Sequence, residues 1–148
     1  MGHKELAQNK KAYFDYEVLE EVEAGLVLTG AEIKSIRSGN VNLKGSYVGE
    51  TAKGLAVKNM HISEYPQMDT KQSPLRERRL LLHKKEIEKL QIKLKEKNLT
   101  IIPLKMYLKK GYCKLLLGLC KGKKQHDKRD TLKRKDQDME IRREMKKY

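Results

Sequence analysis

Apolar and polar positions alternate along residues 16–22 (YEVLEEV) with the period of two that a half-buried strand requires. Ala24-Gly25 then reads as a turn or bulge, and residues 26–29 as a second strand. The period changes at Gly30. Ile33 and Ile36 stand three apart, and Gly39 sits where a glycine closes a helix, so residues 30–39 are predicted helical. Lys34 and Arg37 would share one exposed face of that helix. Residues 47–50 and 54–62 read as two strands around a turn at Ala52-Lys53-Gly54. Residues 63–79 hold Pro66 and Pro74 and little apolar character, which predicts a long loop ending in the guanidinium-rich run Arg76-Glu77-Arg78-Arg79. Ile87, Leu90 and Leu94 restore helical spacing over 84–97. The apolar runs 99–108 and 112–120 form a hairpin about Lys109-Lys110-Gly111, with Pro103 marking an edge or a bulge. Five or six antiparallel strands with an inserted helix predict a small barrel.

Beyond residue 120 the pattern fades. Residues 121–148 hold 12 basic and 6 acidic residues, and their apolar members are only Leu132, Met139, Ile141 and Met145. That composition cannot build a core, so the segment is expected to be a basic tail, disordered when free and able to order on a partner. The chain of 148 residues therefore divides into a domain over 1–120 and a tail over 121–148. The whole carries 34 Lys+Arg against 20 Asp+Glu, a formal charge of +14, which points to a polyanionic partner and to nucleic acid before membrane.

Other classes fall away. Ten Gly and three Pro exclude a collagenous chain. Cys113 and Cys120 are the only cysteines and form no CxxC pair, so they read as packed thiols in a reducing compartment. Apolar runs stop far short of a membrane span, and MGHKELAQNKK lacks the apolar stretch of a secretory signal, so a cytoplasmic location is expected.

Catalytic chemistry has no foothold either. His3, His61, His83 and His126 lie in no HExxH or metal pair, and there is no GxSxG, P-loop or GxGxxG. No catalytic residue, metal or cofactor is expected. Lys34, Arg37, Arg76, Arg78 and Arg79 are the residue types that meet phosphates. Glu17, Glu20, Glu21 and Glu23 read as a solvated strand face, with Glu23 beside a turn glycine placed to accept base-edge or 2′-OH hydrogen bonds. The seven tyrosines read mainly as core or barrel wall, with base stacking as the lesser alternative.

Four runs occur in order between Gln8 and Tyr148: NKKAYFDYEVLEEVEAG, LTGAEIKSIRSGNVNLKGSYV, PLRERRLLLHKKEI and LLLGLCKGKKQHDKR. Together they resemble the small protein B family, the SsrA-binding proteins of bacterial trans-translation. The resemblance implies a mainly β fold: a small antiparallel, oligonucleotide-binding-like β-barrel with about three peripheral helices and a basic C-terminal tail. It implies a monomeric, non-enzymatic RNA-binding adaptor. Such an adaptor binds the tRNA-like domain of transfer-messenger RNA and brings it, with elongation factor Tu, to stalled ribosomes. The tail then enters the decoding centre and the empty messenger channel, and the nascent chain is tagged for proteolysis. By the same resemblance Asn9, Glu23 and Leu81 match RNA-binding positions, while Lys10, Lys34 and Arg37 join them on charge and placement. Gly122, Lys123, Lys124, His126, Asp127, Lys128 and Arg129 match the decoding-centre segment, with Gly122 expected to permit a sharp exit from the last strand. Composition and barrel pattern alone also fit a ribosomal protein or assembly factor; the GKKQHDKR run favours the adaptor. An RNA-acting enzyme would need a site that the sequence lacks.

Overall fold

The computed structural model describes residues 4–64, 73–96 and 98–122. The expected tail from Lys123 onward and the middle of the 63–79 loop lie outside the described residues.

Twelve elements follow in chain order: β1 (Lys4–Gln8), α1 (Lys10–Asp15), β2 (Tyr16–Leu26), α2 (Gly30–Arg37), β3 (Val41–Asn42), β4 (Tyr47–Thr51), β5 (Gly54–Lys58), β6 (His61–Ile62), β7 (Arg78–Leu81), α3 (Lys84–Leu94), β8 (Leu99–Lys109) and β9 (Tyr112–Gly122). Seven strands make an antiparallel sheet in the order β1-β8-β9-β2-β7-β5-β4, and β3 pairs with β6. Among the described residues the ladder is not closed: β1 and β4 are its edges. The sheet curls so that β4 lies against β8, giving the barrel-like form expected, with three helices around it.

The hairpin β8-β9 is the spine. Lys110 and Gly111 both have positive φ (52° and 82°), the two-residue turn whose twist matches paired strands. Two bulges decide which side chains face out. Pairing shifts between Pro103 and Lys105 in β8 and between Val18 and Glu20 in β2. Before the shifts, Val18, Ile102 and Leu104 lie with Ala12 and Cys120 in a small cluster under α1. After them, Ala24, Met106 and Leu115 point into the main core. Lys105, Tyr107, Lys109 and Glu23 therefore take the outer face. Gly118 makes the α1 cluster fit: a Cβ there would lie 2.6 Å from Leu104 Cδ1.

Helix α2 begins with a capping box. Thr29 Oγ1 accepts from Glu32 N (3.2 Å), and Glu32 Oε1 accepts from Thr29 N (3.0 Å). It ends as expected at Gly39 (φ +81°), where Gly39 N donates to Ile36 O and Asn40 N to Ser35 O, both at 2.9 Å.

Several expectations are corrected. Ala24-Gly25 is not a turn, because β2 runs unbroken to Leu26, and residues 27–29 are not a strand. Gly25 pairs with Lys114 on one side and Leu81 on the other. The glycine serves a close approach there: a Cβ would stand 3.2 Å from Leu81 Cβ. The strand expected over 54–62 breaks at Asn59, whose φ is 60°. Arg78 and Arg79, expected at the end of the loop, belong to strand β7 (Arg78–Leu81). The helix expected over 84–97 stops at Leu94. Strand β1 and helix α1, at the polar start of the chain, were not anticipated.

Candidate nucleic-acid interface

Two adjacent rows of residues cross the outer face of the sheet. One runs Gln8, Lys105, Leu116, Glu23; the next runs Glu5, Tyr107, Lys114, Gly25, Leu81. Helix α1 covers the sheet only beyond the bulges, so these rows are open. Leu81 is 54% exposed, an uncommon place for a leucine, and it leans over the missing side chain of Gly25. Around it stand Lys114, whose Nζ lies 3.8 Å from where a Gly25 Cβ would be, and Arg37 from α2. A groove of about 180 Å³ opens here between α2 and the hairpin, with Leu28, Ile33 and Leu81 on its floor and Arg37 and Lys114 beside them. An apolar floor with cations at its rim suits a base with its phosphate.

Glu23 lies beside this groove with its carboxylate held. Tyr107 Oη donates to Glu23 Oε2, and Lys109 Nζ stands 3.4 Å from both oxygens. The Tyr107 hydrogen bond, more than the opposing desolvation and with help from Lys109 and Lys114, holds the carboxyl below its usual value. Partial burial, and then the same contact with the Glu23 carboxylate, push the Tyr107 phenol up. Glu23 is thus a fixed anion in a basic field, suited to accept a hydrogen bond and not merely to be solvated.

The other expected contacts divide. Lys34 and Arg37 are both exposed on the last turn of α2, where their charge also meets the helix dipole. Lys10 is exposed at the first position of α1. Asn9 is different: it is only 5% exposed. Its Nδ2 donates to Leu43 O and Pro103 O (both 3.1 Å), and its Oδ1 caps α1 by accepting from Ala12 N (3.2 Å). The amide is spent inside the protein, so Asn9 positions the bulge and residues 43–46 instead of offering a free side chain. It lines a cleft of about 360 Å³ with Lys11 and Lys44.

Arg76 and Arg78 do not form the expected phosphate-contacting run. Arg78 is 0% exposed and donates to Glu32 Oε2 (2.6 Å), Pro74 O (2.9 Å) and Met60 O. Arg76 reaches Glu32 Oε1 at 2.5 Å. Period-two alternation in β7 turns Arg78 and Leu80 inward and leaves Arg79 and Leu81 outside. Burial opposes the Glu32 charge, but the Thr29 N–H and the two guanidinium groups outweigh it and hold its pKa low. Arg79 remains available.

Gly122 is the last residue of β9 and pairs with Tyr16, and the chain's exit from that strand lies outside the described residues. Lys123, Lys124, His126, Asp127, Lys128 and Arg129 lie outside them. Lys109, Lys114 and Tyr107 were missed. Only the bulge register reveals that they share a face with Glu23. Among the described residues no group of His, Cys, Asp and Glu could hold a metal ion, and no helix is long and apolar enough to cross a membrane.

Comparison with known proteins gives consistent findings. The family model described as SmpB protein matches residues 6–147. An SsrA-binding protein of Limosilactobacillus reuteri (strain DSM 20016) is 56% identical over 144 residues, covering 97% of this chain and 92% of the relative. One from Enterococcus faecalis (strain ATCC 700802 / V583) is 51% identical over 144 residues, covering 97% and 94%. Among solved structures, a chain described under "tmRNA-SmpB: a journey to the center of the bacterial ribosome" is 43% identical with a TM-score of 0.68, covering 80% of this chain and 85% of that one.

Proposed function

The chain belongs to the SmpB protein family, and from that premise we propose that it is an RNA-binding adaptor of trans-translation. It binds transfer-messenger RNA and works on the ribosome, and it is not an enzyme. Its binding surface is the open outer face of the sheet. The observation that carries this reading is the juxtaposition of an exposed Leu81, a fixed Glu23 carboxylate and the cations Lys114, Lys109 and Arg37. Leu81 offers apolar contact to a base, Glu23 accepts a hydrogen bond, and the cations meet phosphates. Lys34 extends the basic edge. Asn9 and Lys10 act at the other end of the sheet, Asn9 through the backbone it holds.

The finer division of labour rests on the sequence. Residues 1–120 bind the tRNA-like domain, and elongation factor Tu accompanies the complex to the stalled ribosome in the cytoplasm. The segment from Gly122 through Lys123, Lys124, His126, Asp127, Lys128 and Arg129 occupies the decoding centre, and the rest of the tail follows the empty messenger channel. This split is tested by Asp127→Ala/Lys128→Ala/Arg129→Ala, which changes the net charge by only one. Peptide tagging on a stalled messenger and RNA binding are measured on the same preparation. Tagging should be lost while RNA binding stays near the parent's. Tagging at the parent's rate would refute the role of the tail, and loss of RNA binding would refute the split.

A further inference from the structure

We infer that Tyr107 is a positioning residue of the RNA-binding surface, acting through Glu23 by fixing which carboxylate oxygen is left to the RNA. This rests on the reading of Glu23 as an RNA contact. Tyr107 Oη donates to Oε2 across the sheet, from β8 to β2 over the intervening β9. Residue 107 lies in the row next to that of Glu23, so only a side chain as long as tyrosine spans the gap. Lys109 stands 3.4 Å from both oxygens, long for a hydrogen bond, and supplies charge more than direction. Oε1, met by Lys109 at 3.4 Å, is therefore the oxygen left to accept from the RNA, with Lys109 and Lys114 supplying charge for the neighbouring phosphate. The group recognised is a hydrogen-bond donor of the RNA, a base N–H or a ribose 2′-OH, set beside a phosphate.

The arrangement resolves an oddity of charge. A carboxylate in a phosphate-binding field repels its ligand unless it makes a directed bond. A carboxylate free to rotate would lose part of that bond to the entropy of ordering and to Lys109 and Lys114. One tethered by Tyr107 has paid that ordering cost before the RNA arrives.

The test uses the full chain, full-length transfer-messenger RNA, and the variants Tyr107→Phe, Glu23→Ala and the double variant. Tyr107→Phe keeps the ring and removes only the hydroxyl. It should weaken RNA binding about 5- to 10-fold, the worth of one lost hydrogen bond. It should leave the dependence on salt unchanged, because no cation is removed. In the Glu23→Ala background the same change should do nothing further. The groups facing Glu23 are Tyr107 and Lys109 from β8 and Lys114 from β9, with Glu21 two positions back on its own strand. Removing the phenol takes away the contact that favours the charged carboxylate. Binding by Tyr107→Phe should then fail at a higher pH on acidification than binding by the parent. Parent-like affinity and pH profile for Tyr107→Phe would overturn the inference while Glu23→Ala still binds weakly. An equal loss in both backgrounds would also overturn it. Parent-like binding by Glu23→Ala would instead refute the reading of Glu23 itself.

Discussion

Glu32→Ala should be among the most damaging single substitutions in the described part of the chain, although it touches no proposed RNA contact. It leaves the Arg78 guanidinium, 0% exposed, without a counter-charge. Stranding one partner of a buried pair costs about 3–5 kcal/mol. Losing the Glu32 half of the capping box, its bond from Thr29 N, adds about 1 kcal/mol, while Thr29 Oγ1 still caps the backbone N–H of residue 32. Set against the ~5–15 kcal/mol of a typical domain, that consumes much of the stability. Arg76→Ala is the control. Its side chain is a third exposed, and Arg78 still neutralises Glu32 after its removal, so the loss should stay near 1 kcal/mol. Arg78→Met with Glu32→Gln removes both charges and should recover most of the loss. Urea unfolding followed by far-UV circular dichroism ranks the four proteins. Acid adds an independent reading. The folded pKa of Glu32 lies below its ordinary 4.5. Its contribution is therefore complete above that value and disappears as pH falls through the folded one. Glu32→Gln should flatten this part of the stability curve. If Glu32→Ala costs no more than Arg76→Ala, the latch that Arg76, Glu32 and Arg78 form is not buried in the way described.

Burial pushes the thiols of Cys113 and Cys120 up to about 11. Native protein at pH 7.5 should therefore react with iodoacetamide far more slowly than urea-unfolded protein, and equal rates would refute their burial. Gly118→Ala should cost about 1–3 kcal/mol in urea unfolding, because its Cβ would meet Leu104 at 2.6 Å, whereas Gly122→Ala, with open space around it, should be near neutral.

The latch explains why one stretch of sequence misled. Arg76, Arg78 and Arg79 look alike as a run of charge, and charge alone assigns all three to phosphates. Their fates diverge because residues 78–81 pair with both β2 and β5 and so become a central strand. Strand periodicity then sends Arg78 into the core and Leu81 out of it, the reverse of what hydropathy predicts. The inversion is tolerable only because Glu32, Met60 O and Pro74 O satisfy the guanidinium. Those partners lie 46, 18 and 4 residues away in sequence. By contrast, both ends of α2 and the β8-β9 turn depend on residues within a few positions of one another. The helix's C-terminal end and the turn are legible from Gly39 and Gly111 without knowledge of the fold, whereas the equally local Thr29–Glu32 box is hidden by the expected strand over 26–29.

The outer face follows the same division between local and distant causes. Glu23 and Leu81 carry family motifs, but nothing in the chain reveals that Tyr107, Lys109 and Lys114 stand beside them. That depends on two bulges, each inserting one residue and reversing the parity of all positions after it. Without the bulge after Pro103, Met106 would face solvent and Tyr107 the core. Pro103 therefore does more than mark an irregularity. Its carbonyl is held by the Asn9 amide, and the next carbonyl, of Leu104, accepts from Asn9 N at 2.8 Å. Asn9 thereby ties the bulge to the strand edge. A residue buried at one end of the sheet thus sets the register that brings Tyr107 to Glu23 at the other. This gives Asn9 a physical route to RNA binding that requires no contact with RNA by its own side chain.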